Sequence, residues 1–143
     1  MHLKVLAGAT SATNTAAPSG ATAGVSLHLG ETPGSPDYGF RGSEQNLAIA
    51  AHSTAGTGTL TLEARIWCYS DKTEQWYPLG TASTDTERGE INASTAVGEI
   101  ATDKLQFTQV LGPAVLVFDR IYIQILAMGG SGTTCDFWLL SRG

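Results

Sequence analysis

The residues able to do chemistry in this chain are few and widely separated. Its three histidines are His2, His28 and His52. Neither His28 nor His52 has a second histidine two or four residues away, the spacing that puts two imidazoles on one metal. The carboxylates Asp85, Glu87 and Glu90 fall in a polar stretch, Thr81 to Glu90, and read as solvated loop residues. Serines are common, but no G-x-S-x-G elbow surrounds any of them. No glycine is followed directly by lysine, so a phosphate loop of the G-x-x-x-x-G-K-[ST] type cannot occur. The Gly129-Gly130-Ser131-Gly132 run reads as a hairpin turn, since nothing after it has a helical period. The expectation is a protein without catalytic residues, metal ligands or cofactor.

Large aromatic side chains are the more informative feature. Trp67, Tyr69, Trp76 and Tyr77 fall on two runs joined by the polar turn Ser70 to Glu74, the pattern of a hairpin. Trp67 and Tyr69 share the face opposite Leu62, Ala64 and Ile66. Three uses are open to such a face: packing between sheets, contact with a protein partner, or stacking on sugar rings. Cys68 and Cys135 read as two buried free thiols, with a single disulfide as the alternative.

The elements that must carry these residues are strands. Thr59 to Tyr69 alternates strictly, with Leu60, Leu62, Ala64, Ile66 and Cys68 on one face. Val25, Leu27 and Leu29 alternate likewise, and Asn46 to His52 and Leu105 to Val110 are short strand candidates. Ser53 to Gly58 reads as a small-residue turn, and Ile91 to Asp103 stays ambiguous between weak strand and connection. Phe118 to Met128 and Thr133 to Leu140 form two closing strands; the second carries Cys135, Phe137 and Leu139 against Asp136, Trp138 and Leu140. No segment keeps a 3.6-residue period. The fold class expected is all-β: an antiparallel β-sandwich or jelly-roll-like barrel over residues 25–143.

Bulk properties narrow the partners. At 143 residues the chain is one domain, with a 42% apolar share that can form a core. Charged residues make up 15%, against roughly 25% in ordinary domains. Net charge is −5 and the basic residues stand singly, which argues against a nucleic-acid groove. The apolar stretch Val115 to Met128 is broken by Asp119, Arg120 and Gln124 and falls short of the ~20 residues of a membrane span. Residues 1–6 lead into no apolar signal-peptide core, so export is not expected, and Asn92-Ala93-Ser94 carries no meaning as a glycan acceptor.

Residues 1–24 differ from the rest. After Leu3, Val5 and Leu6, the stretch Ala7 to Gly24 has no charge and no large apolar side chain. Ordering a residue costs about 1–2 kcal/mol, far more in sum than three apolar side chains return. The expectation is a flexible arm that gains order by adding to the sheet edge of a neighbouring chain, with a disordered tail of no consequence as the alternative. Leu3, Val5 and Leu6 would anchor it, and Trp67, Tyr69 and Trp76 would be the second partner-binding group.

Three strings complete the picture: Ala64-Arg65-Ile66-Trp67-Cys68-Tyr69, Gln75-Trp76-Tyr77-Pro78-Leu79-Gly80, and Phe118-Asp119-Arg120-Ile121-Tyr122-Ile123-Gln124-Ile125. Together with the Ala/Thr-rich arm, they resemble small β-sandwich virion proteins of tailed bacteriophages, of which capsid cement, or decoration, proteins are the nearest type. The resemblance is one of style over residues 25–143 and contains no diagnostic motif. It implies a structural protein on the outer capsid of a virion assembled in the host cytoplasm. Such a protein bridges major-capsid subunits and associates as dimers or trimers, with no catalytic residues and no nucleic-acid or membrane partner. Tail, neck or fibre components, and adhesion modules binding carbohydrate through exposed aromatics, share the same architecture and form the alternative.

Overall fold

The computed structural model describes residues 2–27, 47–79, 90–94, 105–111, 115 and 117–141. These residues hold seven strands and no α-helix: β1 (His2–Ala9), β2 (Val25–Ser26), β3 (Leu47–Ser70), β4 (Gln75–Pro78), β5 (Glu90–Ser94), β6 (Gln106–Val110) and β7 (Arg120–Ser141). All-β is therefore correct. The strands form one curled antiparallel sheet built on a ribbon of two long strands, β3 and β7.

That ribbon overturns two turns expected from sequence. Ser53 to Gly58 does not separate two strands, and neither does Gly129 to Gly132. β3 and β7 stay paired from Leu47↔Ser141 to Tyr69↔Arg120, passing through both segments without reversing. The glycines bend the ribbon instead. Register shifts fall between Ser53 and Thr61, and Gly56, Gly58, Gly130 and Gly132 adopt positive φ. Such bulges add residues to one strand, increase its twist and turn the sheet. Their effect shows in β3, where the buried residues Leu47, Ile49 and Ala51 give way to Leu60, Leu62, Ala64, Ile66 and Cys68. An inward row of odd numbers becomes one of even numbers.

Bending folds the two halves of the ribbon toward each other. Ile49, Phe137 and Leu139 from one half share a single core with Leu62, Ile66, Ile121 and Ile123 from the other. Shorter strands widen the sheet. On the free side of β3 lie β6 (Ala48↔Val110 to His52↔Gln106), β5 (Thr61↔Ser94 to Arg65↔Glu90) and β4 (Trp67↔Pro78 to Ser70↔Gln75). The β3–β4 hairpin is as the alternation predicts. On the free side of β7 lie β1 and β2.

The placement of β1 corrects the expectation of a free arm. Leu3, Lys4 and Leu6 pair with Leu139, Trp138 and Phe137 of the same chain, and Leu3 and Val5 are buried in its core. Compositional reasoning missed this because it weighed the side chains of residues 1–24 alone. The sheet edge it required is supplied by β7 of the same chain rather than by a neighbour. The expected connection Gly30 to Asn46 lies outside the described residues. Of the loop expected over Thr81 to Glu90, residues 81–89 lie outside the described residues, and Glu90 opens β5.

Candidate functional site

The six residues expected to bind a partner fall into two groups on the same sheet. Leu3 and Val5 are core residues of the bent ribbon, and Leu6 is half-buried against that core. They hold β1 to its own β7. None of the three is displayed to a neighbour.

Trp67, Tyr69 and Trp76 are on the outer face of the other half, and they are largely covered. Tyr69 is 5% exposed, and Trp67 and Trp76 are half-buried. Rings adjoin in a chain: Tyr69 and Trp76 at 5.2 Å between centroids, Trp76 and Tyr122 at 5.9 Å edge-on. Burial pushes the phenols of Tyr69 and Tyr122 upward, and for Tyr69 the nearby carboxylates Glu74, Asp71 and Asp119 add to it. The indole of Trp67 donates to Gln124 Oε1 at 2.9 Å.

Residues 14–24 cover these rings as a strap along β7. Asn14 enters it with φ of 47°, a left-handed backbone that asparagine tolerates. Its Nδ2 donates to the carbonyl of Ile123, and its own carbonyl accepts from the amide of Ile125. From there side chains hold the strap by its carbonyls. Gln124 Nε2 donates to Thr15 O at 3.1 Å, Tyr122 OH to Ala16 O at 3.0 Å, and Trp76 Nε1 to Gly20 O at 2.8 Å. Arg120 closes the set, with Nε on Ala23 O and Nη2 on Thr22 O and Gly24 O. Each bond contributes about 0.5–1.5 kcal/mol net, somewhat more where Arg120 donates. Ordering costs about 1–2 kcal/mol per residue, so these bonds do not hold the strap by themselves. It is held at its ends, by β1 and by Val25 on Ile121.

Sequence reasoning missed Arg120, Tyr122 and Gln124. Their alternation with Ile121, Ile123 and Ile125 marked them as outward, but nothing in it marked what they face.

A third surface was also missed. On the outer face of the β1–β7–β3–β6 half, register places His2, Leu140, Ala48 and Val110 in one row across four strands. Lys4, Trp138, Ala50 and Thr108 form the next row. Val110 is 70% exposed and Leu140 37%. Lys4 lies 4.6 Å above the Trp138 ring and 3.4 Å from Asp136, so the charges at this face are matched internally. A shallow apolar floor of two alanines thus runs between Trp138 and Leu140 on one side and Val110 on the other. The cue was present in the terminal strand, where Trp138 and Leu140 alternate with a row that is more plainly core.

Chemistry is sparse among the described residues. Cys68 and Cys135 are free and buried, as expected, and burial pushes the thiols to about 12 and about 11. A cavity of about 260 Å³ between the ribbon bend and the Thr10–Thr13 turn is lined by Thr10, Ser11, Met128, Thr133, Thr134 and the glycines at 130 and 132. It offers no titratable group. No protein-family model, curated protein or solved structure matches the chain.

Proposed function

We propose that this chain is a structural virion protein that binds the outer surface of a phage capsid and joins neighbouring major-capsid subunits. The observation that carries this reading is the apolar outer face of Ala48, Ala50, Val110, Trp138 and Leu140. The solvated face of an antiparallel sheet is ordinarily polar, and contiguous apolar surface of this kind marks a protein contact. A tryptophan at its centre is the residue type that most often anchors such a contact. The strap gives no support here, because its contacts in the single chain are internal. Modest contacts suffice where many copies bind one lattice, since multivalency multiplies them. The reading also takes the curled sheet, whose halves share one core, as the β-sandwich of the proteins it resembles. A carbohydrate site at Trp67 and Trp76 has less behind it, as both indole N–H groups already donate within the chain.

Cosedimentation with capsids assembled from the major capsid protein of the same virus tests the proposal. Binding by the full chain is expected, with loss in Val110→Glu and Leu140→Glu variants whose circular dichroism is unchanged. Binding that survives both substitutions, or no binding at all, overturns it.

A further inference from the structure

The strap differs from the segments on either side of it. No side chain between residues 10 and 24 is buried, whereas Ala9 before it and Leu27 after it belong to the core. The side-chain bonds that hold it are exposed or part-buried, and nearly all of them use its carbonyls. Both ends are fixed. At one, Thr13 folds back on Thr10: its amide donates to the Thr10 carbonyl and its hydroxyl accepts from the Thr10 amide. At the other, Gly24 lies so close to the Ile121 carbonyl that a Cβ would collide with it, and Val25 pairs with Ile121. Few buried apolar contacts and solvent-accessible bonds mark the parts of a fold that open most readily. Fixed ends confine that weakness to the span between them.

We infer that residues 14–23 are a lid that opens as one unit between these ends, while β1 and β2 stay paired to β7. The strap's anchors are linked, which makes the opening concerted. Gln124 and Tyr122 alternate on one strand, the Tyr122 ring adjoins Trp76, and all three hold the strap, so releasing one loosens the next. Opening changes what the outer face offers. In the closed form Tyr69 is 5% exposed, and the Arg120 guanidinium is engaged by the carbonyls of Thr22 and Ala23. In the open form the face presents the adjoining rings of Tyr69, Trp76 and Tyr122. The Trp76 indole, the Tyr122 hydroxyl and the Gln124 amide then point outward beside them as donors. The lid thus switches one sheet face between a covered and an aromatic form, a surface held in a minor state of the chain. The inference concerns the free chain and stands apart from the capsid reading.

Native-state hydrogen exchange of the unmodified chain, followed by NMR in low urea, tests it. Two protons report the lid at well-separated points: the Trp76 indole N–H, bonded to Gly20, and the Ile125 amide, bonded to Asn14. A lid gives both the same protection factor, independent of urea and at least about a hundredfold below that of amides in the β3–β7 ribbon. The paired amides of β1 keep the ribbon's protection. Three results overturn the inference. The reporters can match the ribbon in protection and urea slope, which means that the strap opens only when the whole fold does. They can differ from each other, which means fraying bond by bond. Or β1 can exchange together with them, which means that its end is not fixed.

Discussion

Trp76 donates its indole N–H to the carbonyl of Gly20 at 2.8 Å, fastening the β3–β4 hairpin to a segment 56 positions earlier. The bond lies across the outer face of the sheet, where the ring also meets Tyr69 and Tyr122. Two separable contributions follow, one from the N–H and one from the ring.

Trp76→Phe keeps an aromatic ring and removes the donor. The expected loss is about 0.5–1.5 kcal/mol, the usual worth of one hydrogen bond. It should appear as faster amide exchange in residues 14–24 with the midpoint of global unfolding little changed. Trp76→Ala also removes two ring contacts and should cost measurably more. Equal effects from the two variants would show that the bond to Gly20 contributes nothing.

Arg120 holds three successive carbonyls, those of Thr22, Ala23 and Gly24. A planar guanidinium can serve several acceptors in fixed directions, whereas an ammonium cannot. Arg120→Lys is therefore expected to loosen the strap almost as much as Arg120→Ala. Limited proteolysis reads this directly: cleavage within 14–24 should precede cleavage of the body in both variants. A lysine variant as resistant as the parent would contradict this account.

Much of the sheet is legible in the amino-acid sequence. The row Leu60 to Cys68, the hairpin at Ser70 to Glu74 and the buried Cys135, Phe137 and Leu139 all follow from period-two alternation. Gly56, Gly58, Gly130 and Gly132 are not legible in the same way, because a left-handed glycine serves a reversal and a bulge equally well. Only the partner strand decides between them, and that partner is remote in sequence. The strap is illegible for another reason: its bonds use carbonyls, which carry no residue identity. The apolar row at Ala48, Trp138 and Leu140 is visible as alternation, but alternation does not say which of two apolar faces stays wet.

The ribbon bend makes its own prediction. Gly130 has φ of 98°, and a Cβ there would run into the Leu60 side chain and Thr133 Oγ1. Gly130→Ala should destabilise the fold by about 2–5 kcal/mol, from the left-handed penalty together with crowding in the core. Gly132 has φ of 64° with open space around it. Gly132→Ala should therefore carry the backbone penalty alone, about 1–2 kcal/mol. Urea unfolding of the pair separates strain from crowding; a Gly132→Ala loss as large as that of Gly130→Ala would remove the crowding term.

Acid should act first on the seam between β1 and β7. The Asp136 carboxylate accepts from the amide of Gly8 at 2.7 Å and pairs with Lys4. The Gly8 bond, then Lys4, holds its carboxyl below the ordinary carboxylate range, against an opposing push from desolvation. A depressed folded value means that the unfolded chain takes up the proton first as pH falls. The stabilisation is therefore complete above the ordinary carboxylate pKa of about 4, and it drains away as pH drops through the lower folded value. Asp136→Asn should be less stable than the parent at pH 7 and should lose this contribution to the acid limb. Denaturant midpoints for both chains, taken at about five values from roughly pH 2 to pH 7, check the sign. Parallel curves would mean that the carboxylate does not hold β1 in place.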